Sequence, residues 1–299
     1  MTRIAQRIAA KIKPILNALN EEALLNKVLA KIHRQAKADG IKYCQVLTVY
    51  KRKNLALQLK CILEQALAPQ SLLIYHNQSY VDIRLSRQAI KSVDVLRYTH
   101  NVNWNAKFHG RFYACLPVDA KFYIVWDDDI EPGRYWNQRC LDLMKNRNCI
   151  VTANGRIILQ DALQSEKLDD MYELGYGDGS FRDLDKDTVV DYGGHSWAFR
   201  RKSLIDMASY DPPSLLNSED FHISAASLLA SGTETVVPSQ QLSQPDFLPD
   251  KSMSRHGVDR HASYNTNTQE YMRERRRIIQ SWINDMKYVP LLARSGFGQ

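Results

Sequence analysis

The sequence predicts an α/β fold with a mainly parallel central sheet that is flanked by helices. Short apolar segments rich in β-branched residues alternate with amphipathic segments of helical period over residues 43–126. This alternation is typical of βαβ units. The 299 residues, of which 44% are hydrophobic, are enough for one large domain with extensions. Sheets of this class bind ligands beyond the carboxyl ends of their strands, so functional side chains are expected there.

The chain is predicted to consist of a helical N-terminal extension at residues 1–40, a main domain at 41–267, and a C-terminal helix with a tail at 268–299. Strands are predicted from runs of apolar and β-branched residues at 43–50, 71–77, 93–100, 121–126, 149–159, 188–201 and 234–240. Helices are predicted from amphipathic periodicity at 1–39, 54–67, 103–116, from Glu219 onwards, and at 269–288. The remaining long segments are predicted to be irregular, namely an acidic glycine-rich loop at 168–187 and a polar stretch at 243–267.

The composition limits the partners and the location of the protein. The net charge of +7 attracts anions, which include nucleic acid, phosphorylated small molecules and anionic membrane surfaces. No uninterrupted apolar run is long enough to predict a transmembrane helix. The basic N-terminal stretch lacks the apolar core of a signal peptide, so the cytoplasmic side is expected. The N-terminal helix either packs on the main domain or lies on an anionic membrane, as a peripheral protein at the inner face would.

The stretch FYIVWDDDIEPG at residues 122–133 is the most informative part of the sequence. A predicted strand runs directly into Asp127, Asp128 and Asp129, and three adjacent carboxylates need a cation or many hydrogen-bond donors if they are buried. Carboxylate oxygens suit Mg²⁺ and Mn²⁺, ions that commonly also bind the phosphates of a substrate. We therefore predict Mn²⁺ or Mg²⁺ bound by Asp127 and Asp129. The alternative is a solvated acidic turn.

The triple aspartate belongs to a series of five stretches. They are TVYKRKNLALQLKCILEQALAPQSLLIYHNQS (48–79), NVNWNAKFHGRFYACLPVDAKFYIVWDDDIEPG (101–133), DYGGHSWAFRRKSL (191–204), SEDFHIS (218–224) and SMSRHGVDRHASY (252–264). In this order the first four resemble nucleotide-sugar glycosyltransferases of the GT-A (Rossmann-like) fold, particularly glycosyltransferase family 2. The last is similar to a histidine-containing segment of the exostosin-like transferases, which share this layout. The resemblance covers about residues 43–264.

The resemblance implies that a sugar is transferred from a nucleotide-sugar donor, most simply a UDP-sugar, to a glycan or lipid-linked acceptor in surface-polysaccharide synthesis. Asp129 would bind the metal directly, Asp127 would hold metal and ribose, and Asp128 would orient between them. Asp220 would be the general base beside Glu219 and would give inversion, although exostosin-like transferases retain configuration. The alternative for both acids is a structural role at a helix start, where the dipole favours them and Ser218 is a plausible N-cap.

Further residues are expected around the donor. Asn77 stands where the family often has an aspartate that contacts the base, and Tyr50 and Arg52 follow the opening strand, so the identity of the base stays open. Lys107 and Arg111, four apart on a predicted helix, would meet the phosphates or form an exposed basic face. The other candidates come later in the chain: Gly193 and Gly194 for close backbone approach or a bulge, Trp197 for sugar stacking or core packing, Arg255 for the diphosphate, and His256, with His261 as its rival, for the metal.

Other classes of protein share some of these features. A metal-dependent nucleotidyltransferase also uses paired aspartates at a strand end, but the GxxxxGK[ST] phosphate loop is absent from this sequence. The isoelectric point near 9.1 and the basic run RERRR at 273–277 are compatible with a nucleic-acid-binding protein or with a solvated helix. A glycan-binding module without catalysis is the third alternative. The transferase prediction includes no nucleic-acid partner.

Overall fold

The computed structural model describes residues 20–35, 42–83, 95–159, 171–175, 183–252 and 268–294. Its strands are β1 (Tyr43–Val49), β2 (Ser71–Asn77), β3 (Leu96–Asn101), β4 (Phe122–Trp126), β5 (Cys149–Ile158), β6 (Met171–Gly175), β7 (Thr188–Val190), β8 (Tyr192–Arg200) and β9 (Glu234–Val237). Its helices are α1 (20–35), α2 (Leu55–Glu64), α3 (Gly110–Tyr113), α4 (Trp136–Asn146), α5 (Arg201–Ala208), α6 (Glu219–Ser231), α7 (Thr268–Asn284) and α8 (Leu291–Arg294). Within these ranges, none of the helices has the length and apolar character that a membrane crossing requires.

The strands lie in one sheet in the order β3-β2-β1-β4-β8-β5-β9-β7, with β6 paired to β5. Strands β3, β2, β1 and β4 are parallel to one another, and β9 is parallel to β5. Strand β8 is antiparallel to both of its neighbours, β4 and β5, and β7 is antiparallel to β9. The predicted α/β class with a parallel, Rossmann-like core is therefore confirmed, and an antiparallel strand lies at the centre of the sheet.

The sheet is buried on both faces. Alternate residues of β1 enter different hydrophobic clusters, with Tyr43 and Leu47 in one and Cys44 and Val46 in the other. This is the pattern of a central strand whose two faces are both covered. Helix α1 contributes to the first cluster through one apolar stripe, formed by Leu25, Val28, Leu29 and Ile32. The described part of the N-terminal helix therefore packs on the main domain, whereas residues 1–19 lie outside the described residues.

The helix predicted at 103–116 is wrong in its extent, because only Gly110–Tyr113 is helical. Lys107 has a left-handed backbone with φ of +48°, and its N–H donates to Asn105 Oδ1 at 2.9 Å. Such a side-chain bond competes with helix formation. Gly110 is needed for close packing, since a Cβ there would lie 1.9 Å from the Tyr75 hydroxyl. The segment before α3 is thus held as a tight loop against β2.

Three further differences concern the second half of the chain. The predicted strand at 188–201 is interrupted at Asp191, which separates β7 from β8. The predicted loop at 168–187 contains β6. Helices α4 and α5 are absent from the sequence prediction, although α4 buries Trp136, Cys140, Leu141 and Met144 at helical spacing. Polar residues between these positions obscure the pattern in the sequence.

Asp191 anchors the C-terminal segment to the sheet. Its Oδ2 accepts the N–H of Ile158 at 2.8 Å, and its Oδ1 accepts the hydroxyl of Tyr288 and the N–H of Leu291, each at 2.7 Å. Burial raises the pKa of Asp191 above its usual value, even though these hydrogen bonds favour the carboxylate. A single side chain between β7 and β8 thus fixes the position of the residues that follow α7.

We expect Asp191→Ala to lower the free energy of unfolding by about 2–3 kcal/mol, because it removes the acceptor of the buried Ile158 N–H and Tyr288 hydroxyl and the hydrogen bond to Leu291. Asp191→Asn keeps one acceptor oxygen and should lose about half as much. Urea denaturation measures both changes. Asp285→Ala, at an exposed position near the end of α7, is the matched control and should stay within about 0.5 kcal/mol of the parent. Equal stability of the Asp191→Ala and Asp285→Ala proteins would contradict the anchoring role.

Candidate active site

The three aspartates lie at the carboxyl end of β4, in the parallel half of the sheet. Their backbone is held from α2 and from the loop before it. Gln58 Nε2 donates to the carbonyl of Asp127 at 3.0 Å, and Asn54 Nδ2 donates to the carbonyl of Asp128 at 2.8 Å. On the other side, the Asp127 N–H donates to the carbonyl of His195 on β8 at 2.9 Å. Both neighbouring elements therefore fix the direction in which the turn leaves the sheet.

Asp127, Asp129 and His195 form a group that could hold a metal ion. One ligand atom of each lies within 4.8 Å of the others, and His195 Nδ1 is 4.0 Å from Asp127 Oδ2. Asp129 Oδ1 and His195 Nδ1 are buried and have no hydrogen-bond partner among the described residues. Buried polar atoms normally have a hydrogen-bond partner, so a bound ligand is one explanation for these two atoms.

His195 is not among the site residues predicted from the sequence. This residue has a left-handed backbone with φ of +63°, where β8 is irregularly paired with β5. The preceding glycines are required by close contacts, since a Cβ on Gly193 would lie 2.1 Å from Thr152 Oγ1. The Gly194 N–H donates to Asn154 Oδ1 at 2.8 Å. Gly193 and Gly194 pair regularly with Gly155 and Asn154, and the irregular pairing follows them, at His195 and Ser196. A histidine directly after two glycines was the available signal.

The late segment predicted to supply a histidine lies outside the described residues. This applies to the proposed metal ligand His256, to its rival His261 and to Arg255, which was predicted at the diphosphate. These three assignments stay predictions.

Arg52 pairs with two of the aspartates, with Asp128 at 2.6 Å and with Asp129 Oδ2 at 3.2 Å. Its predicted place beside a nucleotide base stays a prediction. Burial raises the pKa of Asp128 to about 7, and the Arg52 guanidinium opposes this shift. Because Arg52 occupies Oδ2 of Asp129, the other oxygen of that carboxylate remains for a cation.

Arg111 is a buried bridge and not part of an exposed basic face. Only 3% of the residue is exposed. One Nη donates to Asp127 Oδ1, and the other donates to Glu219 Oε1 at 2.7 Å. Its guanidinium also lies 4.5 Å from the centre of the Trp197 ring, which is itself buried. The prediction that Lys107 and Arg111 share a helical face is wrong, because Lys107 lies before the helix. Of the two roles offered for Trp197, its burial in a hydrophobic cluster favours core packing.

Glu219 and Asp220 begin α6, as predicted, and each pairs with a different arginine. Glu219 contacts Arg111, whereas Asp220 Oδ2 lies 2.5 Å from Nη2 of Arg275 on α7. Burial and the adjacent Asp220 raise the pKa of Glu219 to about 7, against the effect of Arg111. Ser218 occupies the N-cap position but has φ of +66°, and its hydroxyl donates to Asn217 instead of capping the helix.

The charges of these groups do not balance. Five carboxylates, those of Asp127, Asp128, Asp129, Glu219 and Asp220, are linked to the three guanidinium groups of Arg52, Arg111 and Arg275. With all of them ionised, the cluster carries two negative charges in excess. A divalent cation would neutralise this excess, and it would do so at Asp129 Oδ1 and His195 Nδ1, for which the described ranges supply no hydrogen-bond partner.

The residues predicted around the nucleotide lie together beside this cluster. Asn77, at the end of β2, donates through Nδ2 to Asn105 Oδ1 at 2.9 Å and to the Lys107 carbonyl at 3.2 Å. The Tyr50 hydroxyl accepts from Asn105 at 3.5 Å, and its ring packs edge-on against Tyr80 with centroids 5.1 Å apart. The structure therefore brings Tyr50, Asn77 and the backbone of Lys107 to one place.

Comparisons with known proteins assign this chain to no family. No protein-family model matches the chain, and no curated protein matches it. Among solved structures, a crystal structure of S. aureus TarS 1-349 is 15% identical, with a TM-score of 0.43, and the match covers 69% of this chain and 62% of that chain. A second structure of S. aureus TarS is 14% identical, also with a TM-score of 0.43, and covers 69% and 38% of the two chains. This chain thus spans less than two thirds of either structure, and likeness of this size identifies no reaction.

His195→Asn is expected to weaken Mn²⁺ binding by at least about tenfold, a typical loss when a metal site is altered. Asparagine tolerates the left-handed backbone at this position but removes the imidazole nitrogen. The loss of the free Mn²⁺ signal in electron paramagnetic resonance measures binding directly. His33→Asn, on the exposed side of α1, serves as the control. If the His195→Asn protein binds Mn²⁺ as tightly as the parent, His195 is not a ligand.

Proposed function

We propose that this chain is a metal-dependent glycosyltransferase of the GT-A kind. It would move a sugar from a nucleotide-sugar donor, in the first place a UDP-sugar, to a hydroxyl group of a glycan or lipid-linked acceptor. The observation that carries the proposal is the convergence of Asp127, Asp129 and His195 at the carboxyl edge of parallel strands, where α/β proteins bind their ligands. The buried atoms Asp129 Oδ1 and His195 Nδ1, which have no hydrogen-bond partner in the described part of the chain, support it.

The donor set favours Mn²⁺ over Mg²⁺. Carboxylates suit either ion, but an imidazole nitrogen suits a transition metal better than Mg²⁺. Arg52 and Arg111 each bind one carboxylate oxygen of the pair, Asp129 Oδ2 and Asp127 Oδ1. Asp129 Oδ1, Asp127 Oδ2 and His195 Nδ1 would then hold the ion. When bound, a divalent cation of this kind neutralises the charge of a diphosphate leaving group.

Donor and acceptor would occupy opposite sides of the aspartates. The nucleoside would lie beside Tyr50 and Asn77, beyond the ends of β1 and β2. The acceptor would lie on the side of α6, where Asp220 would take the proton of the attacking hydroxyl. The acceptor oxygen bonds to the anomeric carbon as the bond from that carbon to the diphosphate breaks, so a nucleoside diphosphate leaves. A single displacement of this kind inverts the configuration at the anomeric carbon. The anomeric form of the product distinguishes inversion from the alternative, retention.

Calorimetric titration of the purified protein with UDP and with GDP, each with Mn²⁺ or with a chelator, tests the proposal. We expect UDP to bind in the presence of Mn²⁺ and to lose most of its affinity in the chelator. Selective GDP binding would change the donor but keep the metal-bridged site. Absence of binding for both nucleotides under both conditions would overturn the proposal. With a UDP-sugar, release of UDP identifies sugar transfer, whereas release of a sugar phosphate or pyrophosphate identifies a nucleotidyltransferase.

The place of the reaction is proposed from the family resemblance alone. A UDP-sugar donor suits the cytoplasmic side of the membrane, and a lipid-linked acceptor would bring the protein to its inner face. Co-sedimentation with vesicles that contain anionic lipid tests the peripheral contact. A protein that stays in the supernatant at low salt would contradict it, because electrostatic attraction to anionic lipid is strongest there.

A further inference from the structure

We propose that Arg275, on α7, is a positioning residue that fixes the orientation of Asp220. The sequence predicts α7 outside the main domain. The guanidinium of Arg275 nevertheless lies 2.5 Å from the carboxylate of Asp220, which we assign as the base. The inference rests on the proposed function, since it gives Arg275 a purpose only if Asp220 receives a proton from an acceptor.

Arg275 is held from several sides. It is 7% exposed. Its Nε donates to the Tyr192 hydroxyl and its Nη1 to the Tyr271 hydroxyl, each at 3.3 Å. The guanidinium also lies 4.8 Å from the centre of the Tyr192 ring. A guanidinium presents its donors in a rigid plane, so these partners determine the direction in which Nη2 reaches Asp220.

The carboxylate of Asp220 is correspondingly fixed at both oxygens. Oδ2 accepts from Arg275, and Oδ1 accepts the N–H of Phe221 at 2.7 Å. A general base must meet the proton that it takes within hydrogen-bonding distance, and a displacement of about 1 Å can cost a factor of about 100 in rate. Rotation of this carboxylate would move its free lone pairs, and the two hydrogen bonds prevent it.

Helix α7 is attached to the sheet at Tyr192, the residue of β8 that contacts Arg275. Tyr192, which faces Arg275, directly follows Asp191, the residue that holds Tyr288 and Leu291. The same two-residue segment at the start of β8 therefore fixes α7 and the chain beyond it. Arg277 provides a contrast on the same helix, because its side chain is 56% exposed and pairs with Glu274. A pair such as Arg277–Glu274 contributes little, whereas a buried pair is costly to break.

The experiment is a double-mutant cycle on Asp220 and Arg275 in the full chain, with sugar transfer, UDP affinity in Mn²⁺ and thermal unfolding measured for each variant. We expect Arg275→Ala to lower kcat about 100-fold, while KM for the donor and the UDP affinity stay within about twofold. In the Asp220→Asn background, removal of Arg275 should cost nothing further in kcat, because Arg275 acts through Asp220. Added guanidinium salt should restore part of the activity of Arg275→Ala. Arg277→Ala is the matched control and should transfer sugar at the parental rate.

Arg275→Lys covers the case in which Arg275→Ala does not fold, because it keeps the charge but loses the planar fork. We expect its kcat to fall about tenfold, and a parental kcat would overturn the proposal. The proposal also fails if Arg275→Ala keeps its kcat, or if its effect multiplies with that of Asp220→Asn. If the parent transfers sugar and Asp220→Asn does too, only the roles of Asp220 and Arg275 are wrong. If the parent binds no nucleotide and transfers nothing, the proposed function itself is wrong, and the positioning role falls with it.

Discussion

Asp129→Ala is expected to reduce sugar transfer by about 10³-fold or more. A metal at this site would supply several kcal/mol of charge stabilisation to the leaving group, and each 1.36 kcal/mol is worth a factor of about ten in rate. The variant removes Asp129 Oδ1, the buried carboxylate oxygen that has no partner among the described residues. Steady-state transfer assays at saturating Mn²⁺, together with UDP titrations in Mn²⁺ and in chelator, measure the effect. The two titrations should give the same weak affinity in the variant.

The control for this experiment is Asp142→Ala on α4. Asp142 is about half exposed and pairs with Lys145, three residues later on the same helix. It should leave both transfer and Mn²⁺-dependent binding unchanged, because surface pairs of this kind contribute little. Circular dichroism should show the same fold for both variants. Asp129→Ala protein that still binds UDP in a Mn²⁺-dependent manner would remove Asp129 from the metal site.

The second large effect concerns acid stability and arises from two buried histidines next to the site. His109 precedes α3 and His222 lies on α6, and each is only 1% exposed. Their ring centroids are 5.6 Å apart, and His222 Nε2 lies 3.1 Å from the Tyr210 carbonyl. Burial lowers the pKa of His109 to about 3, with further contributions from His222 and Arg111, and burial lowers the pKa of His222 to about 4. Both are therefore neutral in the folded protein at neutral pH.

The direction of the pH effect follows from these values. The unfolded chain binds a proton at each histidine below its ordinary pKa of about 6.5, whereas the folded protein does so only near pH 3–4. The stability that the two neutral histidines contribute is thus complete above pH 6.5 and is lost as the pH falls. Between pH 7 and pH 5 the loss is about 2 kcal/mol for each histidine, or about 4 kcal/mol together.

Variants separate this contribution from that of other groups. Asp128 and Glu219, whose pKa values burial raises to about 7, favour the folded state as the pH falls and oppose the histidines. The parent should lose free energy of unfolding between pH 7 and pH 5, as measured by urea denaturation. We expect this loss to be about 4 kcal/mol smaller in the double variant His109→Leu with His222→Gln. His33→Gln, at an exposed position on α1, should change nothing in this comparison. An identical pH dependence of the double variant and the parent would contradict the assignment.

Much of the fold could be predicted because its strands carry their signal locally. The segments at 43–50, 71–77 and 121–126 are short and largely apolar or aromatic, and each is a parallel strand within one residue of the predicted bounds. The extent of helix α3 could not be predicted, because it depends on the left-handed backbone of Lys107 and on the contact between Gly110 and Tyr75. The antiparallel position of β8 also has no local signal, since it depends on pairing between residues about 70 positions apart.

The candidate site shows the same division. The position of the aspartates at a strand end follows from the sequence, and so does the start of α6 at Glu219. The partners of these acids do not follow, because Arg52, Arg111 and Arg275 come from three separate elements that only the fold brings together. Arg111 was expected to meet phosphates, and its pairing with the buried carboxylates of Asp127 and Glu219 has no signal in the sequence. His195 was missed because its direction depends on a bulge that involves two strands.

The central position of β8 has a consequence for how the protein folds. Strands β4 and β5 are complete by residue 158, but the strand that joins them is not synthesised until residues 192–200. Before then, β4 and β5 would expose two unpaired, largely apolar edges, which are the features that promote aggregation of partly folded chains. When the full chain refolds from denaturant, the same edges stay unpaired until β8 reaches them across a long sequence separation. Refolding should then be slow, and its yield should fall as the protein concentration rises. A yield that is independent of concentration would mean that these edges are protected earlier.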